Sequence, residues 1–227
     1  MQLGENREDT ISRICAALDA EYGTPQLGNK TIPLDELVFI ILSNRTQAAT
    51  AESAYSRLQE AFQSWDLIDE CAFDEVVRVL KPAGMARLKA QQIVSIVSIL
   101  KERFGSATLE PLREMSDEAV EGFLCSLPGV AKKVAKCVAM YSLDRDVLPV
   151  DVHVHRLASR LGFAVKKRPD TSQDLIEAAT PPYLRYGFHV NAVAHGRAVC
   201  LPRNPRCQSC CIAAWCNYCL QQGGSQE

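Results

Sequence analysis

Near its end the chain of 227 residues reads CLPRNPRCQSCCIAAWC, positions 200–216, and this short stretch holds five of the ten cysteines in the sequence. The shape of such a loop is set by what its thiols hold, so the first question is the redox compartment. The opening MQLGENREDT lacks a basic region followed by an apolar stretch, and no apolar run of about 18 residues occurs anywhere, so the sequence reads as cytoplasmic and without a membrane span. Reducing conditions disfavour a disulfide framework and point the clustered cysteines to metal or redox chemistry. Cys200, Cys207, Cys210 and Cys216 are spaced C-x6-C-x2-C-x5-C. Structural zinc sites usually join two short-spaced pairs from distant parts of a chain, whereas four thiolates on one compact loop suit an iron–sulfur cube. Iron–sulfur is the favoured reading, with zinc or unligated thiols as the alternatives. Cys211, directly after Cys210, and Cys219 are further thiols competing for the same role.

Elsewhere the chain reads as helix after helix. AATAESAYSRLQEAF, LKAQQIVSIVSILKERFG and DEAVEGFLCSL place apolar residues three and four apart, and the glycine of RFG supplies a stop. An all-α fold follows. VLPVDVHVH alternates like a strand, but Pro149 sits inside it and no partner strand is evident, so it reads as an extended connection into a helix. The closing GGSQE reads as a frayed tail. Net charge is −2, yet residues 127–207 hold 13 Lys and Arg against 6 Asp and Glu, and the remainder 12 against 21. A basic stretch on a near-neutral protein is the usual footprint of a surface that binds a nucleic-acid backbone. Within it, LPGVAKKVAKCVAMYSL places a Pro128–Gly129 turn between two helical patterns, a helix-hairpin-helix candidate whose turn amides and second-helix N-terminus suit a phosphate.

Three segments together, LPGVAKKVA, PVDVHVHRLASRLG and HGRAVCLPRNPRCQSCCIAAWC, resemble the endonuclease III family of helix-hairpin-helix DNA glycosylases with an iron–sulfur loop, over roughly residues 30–219. The resemblance implies a helical barrel domain over 27–145 that holds the hairpin, and a second helical domain formed by 1–26 and 146–227 that holds the cluster loop at 200–216. It implies a DNA-binding cleft flanked by the two, a [4Fe–4S] cluster on Cys200, Cys207, Cys210 and Cys216, and a monomer acting on double-stranded DNA with a damaged base or abasic site. The expected activity is base excision with AP lyase chemistry on an oxidised or otherwise modified pyrimidine. The other readings are a one-step glycosylase of altered base range and a non-catalytic DNA-binding or redox-sensing protein.

Carried over by position, the family's catalytic lysine falls on Lys133 and its aspartate on Asp151, eighteen residues apart. The chain alone does not choose between Lys133 and its neighbour Lys132, and the resemblance does. A neutral lysine attacks the sugar and forms a Schiff base, and Lys132, Lys136 and the helix N-terminus are expected to favour that neutral amine. Asp151 is expected to stabilise developing positive charge, and its plainer reading is an N-cap for the helix that follows. His153 is expected in packing or at a phosphate, and His195 in a structural role. Gly129, Ala131 and Lys132 belong to the hairpin's phosphate site, with Ala131 standing where the family commonly has a second glycine. Asn44 and Arg45, in ILSNRTQAA, stand where a glutamine often faces the gap left by a flipped nucleotide. Met85 matches a wedging apolar side chain, with a buried methionine as the alternative, and Arg87 lies near it for a phosphate. Between the first two cluster cysteines, Arg203 and Arg206, stiffened by Pro202 and Pro205, are expected on DNA phosphates.

Overall fold

The computed structural model describes residues 7–163 and 166–223; the first residues of the N-terminal segment discussed above and positions 224–227 of the closing tail lie outside the described residues. Among the described residues the regular structure is helical, with no strand. The helices are α1 (Arg7–Tyr22), α2 (Pro33–Ser43), α3 (Ala48–Ala61), α4 (Phe73–Leu80), α5 (Ala86–Phe104), α6 (Asp117–Ser126), α7 (Lys132–Ser142), α8 (Val152–Leu161), α9 (Pro169–Ala178), α10 (Arg185–Ala198) and α11 (Asn217–Gly223). They fall into two compact units, one of residues 29–145 and one of 1–28 with 146–227.

In the unit of residues 29–145, α2 packs on α3, α5 and α7, α4 on α5, and α6 on α7. Helix α2 begins with Pro33, whose missing amide costs nothing at a first turn, and it is apolar on nearly every side, so it takes the centre. Leu34, Leu37, Val38 and Leu42 are buried along it, with Leu58, Ile93, Val97 and Val138 from its neighbours. Burial of each such side chain stabilises the unit by about 1.5–3 kcal/mol. Helix α5 stops where the sequence placed its glycine: Gly105 adopts φ +80° and its amide returns to the Lys101 carbonyl at 2.9 Å.

In the other unit, α10 packs on α1 and α8, and α8 on α9 and α11. Its core gathers Ile14, Leu18, Leu157, Leu161, Ile176 and Phe188 together with Cys200 and Cys216. The segment 147–150 is extended and buried without a neighbouring strand, and its backbone groups are satisfied by side chains. The Leu148 amide donates to Glu177 Oε1 at 3.0 Å, the Val150 amide to Gln173 Oε1 at 2.9 Å, and His189 Nδ1 lies 2.9 Å from the Pro149 carbonyl oxygen. Helices α9 and α10 thus grip this connection, and Asp151 follows at its end.

Candidate functional site

The hairpin is α6, a five-residue reversal and α7. Leu127 and Val130 are buried and anchor the reversal, and the Val130 amide donates to the Leu127 carbonyl at 3.1 Å. Gly129 lies exposed at φ +72°, a conformation that calls for glycine, and a Cβ there would displace only the flexible Gln92 side chain. Ala131 caps α7 at φ −87°, a conformation open to any residue, so alanine at the family's second glycine position carries no strain. The Ala131 carbonyl accepts from the Val134 and Ala135 amides at 2.8 and 3.1 Å, and the first turn of α7 is the positive end of the helix.

Three lysines follow on α7 and they are not equivalent. Lys132 and Lys136 straddle Glu121 of α6, with Nζ–Oε distances of 3.0 and 2.9 Å. Burial alone would raise the Glu121 carboxyl; the two ammonium groups outweigh it and hold the acid below its usual range. The two lysines expected to act on Lys133 are thus also bound to Glu121. Lys133 is half-buried as the second residue of α7, and its ammonium acts on Glu36 of α2. Glu36 is fully buried and accepts from the Lys30 amide at 2.7 Å and from Asn29 Nδ2. Burial raises its carboxyl, against the pull of those two bonds and of the Lys133 and Lys30 charges.

Asp151, in the other unit, is the N-cap of α8, and its Oδ1 accepts from the amides of His153 and Val154, each at 2.8 Å. The cap uses one oxygen of the carboxylate. His153 is half-buried, with Nδ1 3.0 Å from an Arg156 guanidinium nitrogen, and it packs on Gly196, where a Cβ would come within 2.6 Å of the ring. Burial lowers its pKa, against the attraction of Asp151. Of its two expected roles, these contacts are the packing one.

The cysteine loop starts where α10 ends. Cys200, Cys207, Cys210 and Cys216, joined by Cys219 from α11, line one small cavity with an apolar wall; Cys211 is not among its lining residues. All ten cysteines are free thiols, and among the described residues no group of three or more His, Cys, Asp or Glu is arranged to hold a single metal ion. The donor set is sulfur throughout, without a carboxylate, and this chemistry fits an iron–sulfur cluster. Two side chains from α8 and α10 reach its sulfurs. Arg160 donates to Cys200 Sγ at 3.0 Å and to the Leu201 carbonyl at 2.9 Å while stacking over Tyr218. His195 is fully buried between the Tyr22 hydroxyl at 2.9 Å and Cys210 Sγ at 3.5 Å, and burial lowers its pKa to about 4, leaving it neutral and structural. Across the loop's base the Arg206 amide donates to the Val199 carbonyl at 2.9 Å, which holds Arg203 and Arg206 exposed on a closed turn.

The remaining expected contact residues lie in the unit of 29–145. Asn44 ends α2, its amide returning to the Ile40 carbonyl at 3.1 Å, and its side chain is exposed. Arg45 follows, exposed, at φ +53°; Met85, before α5, is exposed at φ +50°. The exposure of Met85 excludes the buried-methionine reading. Each left-handed residue without glycine's freedom costs about 1–2 kcal/mol, which the surrounding structure must supply. Arg87 lies over the Phe73 ring, 5.3 Å from its centroid. Among the buried charged groups that escaped the sequence reading, Glu36 and Lys89 are the deepest, both within helices whose local pattern marks neither position.

A thiol-lined loop in one unit and, in the other, a helix-hairpin-helix with a lysine at the head of its second helix define a class of helical protein built around backbone-gripping turns. Residues 38–182 match the model of the HhH-GPD superfamily of base excision DNA repair proteins. Endonuclease III of Thermotoga maritima is 30% identical over 199 residues, covering 88% of this chain and 89% of that protein. Two solved structures share the fold: endonuclease III in a non-covalent complex with DNA, at TM-score 0.77 and 20% identity over 96% of this chain and 99% of that one, and a thermostable thymine-DNA glycosylase, at 0.80 and 18% over 94% and 98%. The chain belongs to the HhH-GPD superfamily of base excision DNA repair proteins, as an endonuclease III-like DNA glycosylase.

Proposed function

We propose that the protein excises a modified pyrimidine from double-stranded DNA and cuts the strand at the resulting site by lyase chemistry. The observation that carries this reading is the hairpin, whose Gly129 turn at φ +72° leads into α7 with Lys133 half-buried at its head. The damaged nucleotide is flipped from the stack, at a cost of a few kcal/mol that is least for a poorly paired base. The neutral Lys133 amine attacks C1′, the glycosidic bond breaks, and the base departs with its bonding electrons. Sugar-ring opening leaves a Schiff base, and loss of a C2′ proton then expels the 3′ phosphate. Asp151 stabilises the positive charge that develops on the sugar. Gly129, Ala131 and Lys132 at the hairpin, with Arg87, Arg203 and Arg206, bind phosphates; Asn44, Arg45 and Met85 serve the flipped nucleotide and its vacated place.

The test is a panel of duplexes, each with one modified base, analysed with and without alkali. Strand breaks without alkali are the expected result. Breaks that need alkali would make the protein a one-step glycosylase, and a lack of product under both conditions would defeat the reading.

The same proposal gives Cys200, Cys207, Cys210 and Cys216 to a [4Fe–4S] cluster, which would fix the loop that carries Arg203 and Arg206. Protein prepared anaerobically is expected to be yellow-brown, with about four irons and four sulfides per chain. Stoichiometric zinc without iron or sulfide would overturn this assignment.

A further inference from the structure

Lys89 is 2% exposed, in the first turn of α5, and its ammonium is bonded only to neutral oxygens among the contacts the structure gives it. Nζ donates to the Leu42 carbonyl at 2.8 Å and to Thr46 Oγ1 at 2.6 Å, with the Ala83 carbonyl at 3.4 Å. Burying a cation this way is costly, and desolvation lowers its pKa; a methionine would fill the same space without that cost. The partners explain why a charge is used. Leu42 and Thr46 bracket the turn that presents Asn44 and Arg45, and Ala83 precedes the turn that presents Met85. Thr46 Oγ1 also lies 3.2 Å from both the Asn44 and the Ala83 carbonyls, so it accepts from the ammonium and donates a hydrogen bond to one of them. Three donors on one nitrogen thus join two loops whose exposed residues, Arg45 and Met85, are both held in the left-handed conformation.

We infer that Lys89 is a positioning residue for lesion recognition: its ammonium locks the Arg45 turn to the Met85 turn, so that the side chain that enters the stack and the side chain that meets the vacated place move as one. This rests on the proposed function, in which both residues meet the flipped nucleotide. It separates Lys89 from the lyase chemistry of Lys133, because a preformed abasic site has no base to be selected or withdrawn.

The experiment compares the wild type with Lys89→Met and Thr46→Val. It measures single-turnover excision of a modified pyrimidine, cleavage of a preformed abasic site, the fluorescence of a 2-aminopurine beside the lesion, and thermal unfolding. Lys89→Met should slow excision by about tenfold or more and shrink the fluorescence rise, while abasic cleavage falls by no more than about threefold, since misplacement at a recognition loop penalises the step that needs it. Thr46→Val, which keeps the lysine and removes one acceptor, should act in the same direction more weakly, and it carries the test if Lys89→Met does not fold. Equal losses in excision and abasic cleavage, or no loss in either, would overturn the inference and leave Lys89 a stabilising residue. If the wild type excises no base on the panel, the proposed function fails, while the locking of the two turns is still read from the fluorescence on a duplex with a tetrahydrofuran abasic analogue. A rise there that both variants preserve, or no rise even in the wild type, would overturn the inference as well.

Discussion

Lys133→Gln abolishes the borohydride-trapped protein–DNA adduct, and Lys132→Gln does not: this is the expected outcome on a duplex with a modified pyrimidine or an abasic site. Borohydride reduces the C=N bond of a Schiff base to a stable amine, so trapping reports the one amine joined to C1′. A glutamine at 133 keeps the length and polarity of the side chain near Glu36 but has no nucleophilic nitrogen. Binding should survive, because one charge is a small part of an interface with many phosphates. The Lys132 control is sharpened by the structure. Lys132 is ion-paired with Glu121, and Lys136 remains to hold that carboxylate when the pair is cut. Its loss should therefore cost phosphate affinity and a little stability and leave the adduct in place. Trapping that persists in the 133 variant and disappears in the 132 variant would move the nucleophile by one residue; trapping unaffected by either would remove the lyase reading.

Why the two lysines could not be told apart from the chain is a matter of range. They are neighbours on one helix, about 100° apart, and what distinguishes them lies on other elements: Glu121 on α6 for one and Glu36 on α2 for the other. The features that were legible are those whose causes are local. The period of apolar residues produced α3, α5 and α6 within two residues of their observed ends, and Gly105 stops α5 through its own backbone. Pro149 in an unpartnered alternating stretch was enough to read VLPVDVHVH as a connection into a helix, but not its end: Val152–His155 already belong to α8. Lys89 was not legible. The apolar spacing of LKAQQIVSIVSILKERFG says nothing of Lys89, whose burial depends on carbonyls 47 and 6 residues away that meet only when α2 and α5 pack. The strain at Arg45 and Met85 has the same origin, because neither residue prefers the left-handed region and packing imposes it.

The proposed function gives Asp151 a remote role beside its local one as the cap of α8, and two substitutions separate them. As an N-cap its Oδ1 accepts from the amides of His153 and Val154, a task that asparagine's carbonyl performs nearly as well. As a charge it offers the developing sugar cation something that an amide cannot. Asp151→Asn should therefore leave thermal stability almost unchanged while slowing base loss by about a hundredfold or more, the scale expected when a charge-stabilising or proton-transferring group is removed. Asp151→Ala should show the same kinetic loss and in addition lower stability by about 1 kcal/mol, the usual cost of an N-cap, because two first-turn amides of α8 lose their acceptor. The cap also governs where α8 begins, and with it the placing of His153 and Arg156, whose guanidinium donates to the Cys200 carbonyl at 2.7 Å. The alanine variant should for that reason lose iron faster than the asparagine variant when the protein is warmed with a chelator. Equal activity in the wild type and Asp151→Asn would reduce Asp151 to its cap. Equal stability of the asparagine and alanine variants would instead show that the cap contributes little, and any kinetic loss they share would then belong to the charge alone.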